Sequence, residues 1–61
     1  MNLPEALVYL INGRRIINDR IELSLLYGLL MFSDLSNIQN HYWRPYVPNI
    51  EDLKGESWRV L

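Results

Sequence analysis

The N-terminal segment carries the clearest hydrophobic pattern of the chain. Asn2 stands three residues before Glu5, which is the spacing of a helix capping box. Asn12-Gly13 provides a stop, because glycine readily takes the left-handed conformation that ends helices. Apolar residues between them follow the i, i+3, i+4, i+7, i+8 spacing of one buried helix face: Leu3, Ala6, Leu7, Leu10 and Ile11. The pattern predicts a helix over residues 3–12, with Pro4 tolerated in its first turn.

After Gly13 the pattern changes to short β-branched and alternating runs. Residues 14–17 read Arg-Arg-Ile-Ile and are followed by the turn signal Asn18-Asp19. Apolar and polar side chains then alternate over residues 21–25, with the period of two that is typical of a half-buried strand. A second apolar run covers residues 29–32, and Gly28 lies between the two runs. These features predict a first short strand followed by a β-hairpin.

A helix is the competing interpretation of residues 21–33. Leu23, Leu26, Tyr27 and Leu30 also match helical spacing, and periodicity alone does not separate the two structures in so short a run. The glycine in the middle and the β-branched start favour strands.

The C-terminal half is predicted to add a strand, a helical turn and a last strand. We expect a loop at residues 34–37 and a strand at 41–43 that Pro45 ends. Asn49 can cap a helical turn that Gly55 closes, and residues 57–61 alternate as a strand does. The predicted fold is therefore a single α+β domain over residues 1–61. Its N-terminal helix packs on a small, mainly antiparallel sheet, with a short helical turn before the last strand.

Composition narrows the ways in which so short a chain is stabilised. A domain of 61 residues has a thin stability margin, and small domains compensate with disulfides, metals or oligomerisation. The chain has no cysteine and one histidine, so neither a disulfide nor a zinc site is expected. A hydrophobic fraction of 49% leaves self-association as the expected route.

Charge and hydropathy exclude several classes of partner. A formal charge of −1 fits neither a duplex-DNA binder nor a DNA mimic. The longest uncharged stretch, Leu23 to Ser33, is too short to cross a bilayer, and the N-terminus lacks the basic region of a secretion signal. We expect a soluble, cytoplasmic protein that binds no membrane.

No set of residues suggests catalysis. The only imidazole, His41, stands between Asn40 and Tyr42. The chain has no cysteine to act as a nucleophile, and none of its serines lies in a G-x-S-x-G motif. Glu51 and Asp52 are adjacent carboxylates, but acidic residues are favoured in the first turn of any helix. The glycines are isolated, so no phosphate loop is present. We expect a protein without enzymatic activity, metal or cofactor.

An aromatic and basic cluster is the best candidate for ligand binding, with Tyr42, Trp43, Arg44 and Tyr46 surrounding Pro45. Aromatic faces stack on bases and arginines hold phosphates. We expect Trp43 and Tyr46 to complete the core or a subunit interface instead, whereas Tyr42 is freer to contact a ligand. Arg14 and Arg15 form a second basic spot, although such a pair is also typical of a solvated helix C-terminus.

Four segments of the chain carry a recognisable pattern: Glu5-Ala6-Leu7, Leu10 to Ile16, Trp43 to Leu53, and Glu56 to Val60. They resemble the two ends of one family of short phage and bacterial proteins, the second type of Thoeris anti-defence protein. Trp58 matches the tryptophan of the family's last segment, and we expect it to lie in the core. The resemblance implies an α+β homo-oligomer that sequesters cyclic-nucleotide-like immune signals made from NAD, as a sponge that does not cleave them. Two features depart from the family: residues 17–21 lack the usual tryptophan, and the middle of the chain is shorter.

Under this hypothesis the pocket lies between subunits, because one small chain has little room for a ligand cavity. The expected ligand-binding residues are Arg14, Arg15, Asn18, Tyr42 and Arg44. The arginines are expected to hold phosphates and Tyr42 to stack on a base. Two alternatives stay open: an inhibitor that binds a host protein directly, of anti-CRISPR or host-takeover type, and a structural oligomer without a ligand.

Overall fold

An N-terminal helix packs on one face of an antiparallel sheet in the computed structural model, which describes residues 1–35 and 42–61. Among the described residues the sheet has five strands in the order β4-β3-β2-β1-β5, and each neighbouring pair is antiparallel. The predicted α+β fold, including a short helix before the last strand, is confirmed. The elements are α1 (Leu3–Ile11), β1 (Ile16–Ile17), β2 (Ile21–Leu26), β3 (Leu29–Asp34), β4 (Arg44–Pro45), α2 (Ile50–Lys54) and β5 (Arg59–Val60).

Helix α1 begins at the predicted capping box. The Asn2 side chain accepts a hydrogen bond from the Glu5 backbone at 2.9 Å, and the Glu5 carboxylate accepts one from the Asn2 backbone at 3.1 Å. The helix ends at Ile11, and Gly13 takes a left-handed φ of +88°. The prediction that Ile11 lies on the buried face was wrong, because this residue is 74% exposed. At 100° per residue Ile11 falls at the margin of the apolar stripe and not at its centre.

The hairpin interpretation of residues 21–33 is confirmed, and the helical one is wrong. Strands β2 and β3 pair in continuous register, from Ile21 opposite Asp34 to Leu26 opposite Leu29. A two-residue turn joins them, with φ of +53° at Tyr27 and +78° at Gly28. Positive φ at both central residues is the signature of a type I′ turn, whose twist matches that of the flanking strands.

The core lies between α1 and the sheet. Trp58 is buried in it, as the sequence predicted, whereas Trp43 is half-buried and does not belong to the core cluster. Tyr46 packs against this core from the edge of the sheet. The fully packed core residues are Leu3, Ala6, Leu10, Ile16, Ile21, Leu23 and Trp58.

The C-terminal strands differ from the prediction. The third strand runs to Asp34, which was expected in a loop, and the last strand contains only Arg59 and Val60. The strand expected at residues 41–43 is found at Arg44–Pro45 instead, while His41 lies outside the described residues. Pro45 belongs to this strand because β4 is at the edge of the sheet, where the missing N–H faces away from the ladder.

No helix in the described part of the chain is long and apolar enough to cross a membrane.

Candidate functional site

The buried carboxylate of Asp52 connects α2 to two other segments of the chain. The side chain of Asp52 is 4% exposed. Its Oδ1 accepts a hydrogen bond from Arg20 Nη2 at 2.6 Å, and its Oδ2 accepts one from the Tyr46 hydroxyl at 2.5 Å. Burying a carboxylate is costly unless it is paired and hydrogen-bonded, and both conditions are met here.

Local sequence fixes the position of Asp52. Asn49 caps α2, and its side-chain oxygen accepts a hydrogen bond from the Asp52 backbone at 2.8 Å. The Asp52 carbonyl in turn accepts a hydrogen bond from the buried indole nitrogen of Trp58 at 2.9 Å. The carboxylate is therefore held by its own helix cap and by the core tryptophan.

Arg20 reaches Asp52 from the turn between β1 and β2. The side-chain oxygen of Asn18 accepts hydrogen bonds from the backbones of Arg20 and Ile21, both at 2.8 Å. This Asx turn is the turn that the Asn18-Asp19 pair predicted. It fixes the backbone of Arg20, whose side chain stays 63% exposed while it binds the carboxylate.

Two open cavities adjoin at the Arg20–Asp52 pair. The polar cavity has a volume of about 300 Å³, and its lining includes Asn18, Glu51 and Ser57. The aromatic cavity has a volume of about 230 Å³ and is lined by Phe32 and Tyr46, whose rings meet edge to face at 5.8 Å. Arg20 and Asp52 line both cavities. We call the two cavities together the Arg20 cleft.

Two of the ionisable side chains in the Arg20 cleft are engaged with each other. Burial, and then the hydrogen bond to Asp52, raise the pKa of Tyr46 well above its usual value, so its hydroxyl stays protonated. Both oxygens of Asp52 already accept hydrogen bonds. The exposed guanidinium of Arg20 is thus the group best placed to meet an anionic ligand.

No cluster of three or more potential metal-ligating side chains occurs in residues 1–35 and 42–61. The structure supports no assignment of a metal to the cleft.

The expected ligand-binding residues are not brought together in one chain. Asn18 lines the polar cavity, although its side-chain oxygen is engaged in the Asx turn. Arg14 donates to the Leu61 carbonyl at 2.9 Å, and Arg15 lies 3.1 Å from a carboxylate oxygen of Glu22. These two arginines precede β1, near the other end of the sheet.

Tyr42 and Arg44 lie at the opposite edge of the sheet from Arg14 and Arg15. Both are exposed, and Arg44 is part of β4. Three strand spacings separate β4 from β1, roughly 14 Å. The four side chains therefore do not form one cluster within the chain.

Sequence reasoning did not identify Arg20, and it assigned Asp52 only to the first turn of a helix. The two residues are 32 positions apart, so no local motif joins them. The available signal was weak: a second acidic residue follows Glu51 on a short helix that is flanked by Tyr46 and Trp58.

Comparison with known proteins identifies no relative. No protein-family model, curated protein or solved structure matches the chain.

Proposed function

We propose that this protein sequesters a cyclic-nucleotide-like signalling molecule in the Arg20 cleft and does not cleave it. The observation that carries the proposal is the pair of adjoining cavities, one aromatic and one polar, that share a single exposed guanidinium. A nucleotide has the matching parts: a base, a phosphate and a ribose.

Each part of the ligand has a chemically suitable wall. The base enters the aromatic cavity beside Phe32 and Tyr46, where stacking on rings is favourable whatever the base. The phosphate binds Arg20 at the boundary between the cavities. The ribose hydroxyls donate to Glu51 and meet Ser57 in the polar cavity, since carboxylates commonly accept hydrogen bonds from ribose.

The bonding of Asp52 and Tyr46 supports capture without conversion, with the exposed Glu51 assigned to the ribose. A general base needs a free lone pair within reach of the substrate, and a nucleophile needs a base beside it. Asp52 is engaged at both oxygens, and Tyr46 holds its proton. The resemblance of both chain ends to the Thoeris anti-defence sponges supports the same conclusion and suggests that the protein acts in the cytoplasm of a phage-infected host.

The proposal changes the expected binding residues. Asn18 stays in the site as part of the polar wall. Arg14, Arg15, Tyr42 and Arg44 line neither cavity, although Arg44 pairs in the sheet with Phe32, which does. Arg20, which the sequence did not single out, takes the phosphate-binding role.

Capture and release of defined nucleotides test the proposal. The purified protein is incubated with cyclic ADP-ribose isomers and with cyclic dinucleotides, washed, heated, and the released compounds are identified by mass spectrometry. Intact recovery of at least one nucleotide is expected. No retention of any compound would refute capture, and a cleaved product would refute the absence of catalysis.

Variants that each remove one positive charge locate the binding site. Arg20→Gln is expected to reduce capture at least tenfold, because it removes the only cation that lines the described cavities. Arg59→Gln is the matched control. Arg59 is exposed, and it alternates with Val60, which packs against the core, so it faces away from α1. Circular dichroism confirms that both variants are folded, and Arg20→Lys tests whether charge alone is sufficient.

A direct inhibitor of a host protein is the second candidate. Exposed apolar side chains at the β2–β3 turn favour it, because such surfaces often bind proteins. This function predicts a stable complex with one host protein and no nucleotide in the capture assay.

A further inference from the structure

The far end of the β2–β3 hairpin is an unusually apolar projection. Leu25 pairs with Leu30 and Leu26 pairs with Leu29 on the two sides of the turn, and no charged residue occurs between Glu22 and Asp34. Tyr27 is fully exposed, and Leu29 is 62% exposed. We call residues 25–30 the hairpin tip.

The hairpin tip projects beyond its neighbours because the flanking strands are short. Strand β1 pairs with β2 only up to Leu23, and β4 pairs with β3 only at Met31 and Phe32, with one further backbone hydrogen bond from Tyr46 to Leu30. The helix covers the other part of the sheet: α1 contacts β1, β2 and β5. Leu30 still packs against the core, whereas Leu25, Tyr27 and Leu29 are exposed to solvent in the single chain.

Tyr27 violates the local rule for its position. The first central residue of a type I′ turn has positive φ, which asparagine, aspartate and glycine tolerate and a bulky aromatic does not. An unfavourable backbone conformation persists only where something else compensates. The paired strands on either side hold the turn backbone, while the Tyr27 side chain gains no burial from its own chain and stays available for an outside contact.

The absence of charge indicates what covers the tip. A twofold interface places the same patch against itself, and any net charge on that patch would repel its copy. The tip carries none. An anionic membrane or an acidic or basic protein partner would be matched by a charged rim, and residues 23–33 provide no such rim.

The exposed area fits a weak dimer. Tyr27 offers roughly 200 Å², and the leucines of the tip bring the total to on the order of 500 Å² per chain. A stable interface of standard size buries about 800 Å² per partner. The tip alone is therefore expected to support reversible association that depends on concentration.

We infer that the hairpin tip is the surface through which two copies of this chain associate, with Tyr27 at its centre. This inference does not rest on nucleotide capture, because residues 25–30 line neither cavity of the Arg20 cleft. It also assigns a location to the self-association that composition and chain length led us to expect.

Sedimentation equilibrium over about a hundredfold range of protein concentration tests the inference. The wild-type chain is expected to pass from monomer to dimer as concentration rises. Tyr27→Asn is designed to keep the fold, since Asn-Gly is the preferred type I′ pair, while it removes the apolar knob. This variant, and Tyr27→Asn combined with Leu29→Thr, are expected to weaken dimerisation at least tenfold.

Two controls make the result decisive. Tyr9→Gln removes an exposed tyrosine from α1 and is expected to leave the dimer unchanged. Phosphatidylcholine vesicles are added in a parallel flotation assay. A wild-type chain that stays monomeric throughout, a dimer that survives the double variant, or a monomer that binds vesicles through Tyr27 would each overturn the inference. The double variant is also tested for nucleotide capture. Loss of the dimer with capture retained shows that the two proposals succeed or fail separately.

Discussion

Strand β2 connects two ends of the protein that are built in opposite ways. Before it stands Arg20, whose guanidinium binds the buried carboxylate of Asp52. The same carboxylate accepts a hydrogen bond from the Tyr46 hydroxyl and belongs to the capped helix α2. After it stands Tyr27, whose side chain is fully exposed. Six residues, roughly 20 Å of extended chain, separate the two environments.

The difference shows that the two ends of a very small chain are stabilised in different ways. At the cleft end, polar side chains hydrogen-bond segments that are distant in sequence, and the Arg20 side chain stays largely exposed. At the tip end, no polar tie exists, the backbone adopts a conformation unfavourable for tyrosine, and apolar area stays uncovered. The hydrogen bonds of the first end are formed within one chain, whereas the apolar side chains of the second end are left exposed.

Removing the tryptophan beneath the cleft is expected to have the largest effect. Trp58→Ala empties the core beside Asp52 and deletes the hydrogen bond to its carbonyl. The expected loss of about 3–5 kcal/mol is comparable to the whole stability of a 61-residue domain. Thermal unfolding should show no cooperative transition for this variant, whereas Trp58→Phe should keep one at a lower temperature. A cooperative transition near that of the wild type in Trp58→Ala would contradict its place in the core.

Deleting the buried carboxylate is expected to come next. Asp52→Ala leaves the Tyr46 hydroxyl without its acceptor, and the free energy of unfolding should fall by roughly 2–3 kcal/mol. Little of this comes from the ion pair, because Arg20 is largely exposed and is solvated again when released.

Glu51→Ala is the matched control for Asp52→Ala. Glu51 is the exposed neighbour of Asp52, and its loss should change stability by no more than about 0.5 kcal/mol in urea denaturation. Equal losses in the two variants would show that the carboxylate network does not organise this end.

Alkaline pH should weaken the cleft end selectively. The pKa of Tyr46 is raised in the folded state, so the unfolded chain loses this proton first, near its ordinary pKa of about 10. The stability that Tyr46 contributes is therefore fully present below that pH and falls as pH rises further.

Absorbance at 295 nm measures this directly. One of the four tyrosines should stay protonated until the protein unfolds, and Tyr46→Phe should abolish the late step. Four tyrosines that ionise together in the folded protein would contradict the assigned environment.

The smallest expected effect is a gain in stability at the tip end. Tyr27→Asn relieves the unfavourable backbone conformation and should stabilise the monomer by up to about 1 kcal/mol. Urea denaturation at low protein concentration, where dimers are absent, isolates this term. A loss of stability under those conditions would mean that the tyrosine side chain is supported within its own chain.

The contrast between the two ends also explains what the sequence could predict. The capping box at Asn2, the hairpin around Gly28 and the burial of Trp58 depend on local spacing or side-chain size, and all three are confirmed. Fold class followed from such signals. The same local signals did not place β4 correctly, because its two residues form a strand only by pairing with β3.

The candidate site was harder to predict, for a physical reason. Arg20 and Asp52 meet only after the sheet and α2 have packed, and neither belongs to a motif. The residues chosen from sequence, such as Arg14 and Arg44, are basic or aromatic positions in conspicuous local clusters. The structure places these two near opposite edges of the sheet. The arginines in conspicuous clusters therefore line neither cavity. Arg20, which lines both, is the single basic residue of its turn.

Backbone amide spectra of the ¹⁵N-labelled protein test the central claim most directly, since one sample reports on both ends of β2. A captured cyclic nucleotide should shift the amides of residues 18–21 and 52–58 together with the Trp58 indole, and leave residues 25–30 unchanged. Dilution without nucleotide should shift the amides of residues 25–30 and leave those of residues 18–21 and 52–58 unchanged. Nucleotide-induced shifts confined to the hairpin tip, or no shifts with any cyclic nucleotide tested, would contradict capture in the Arg20 cleft.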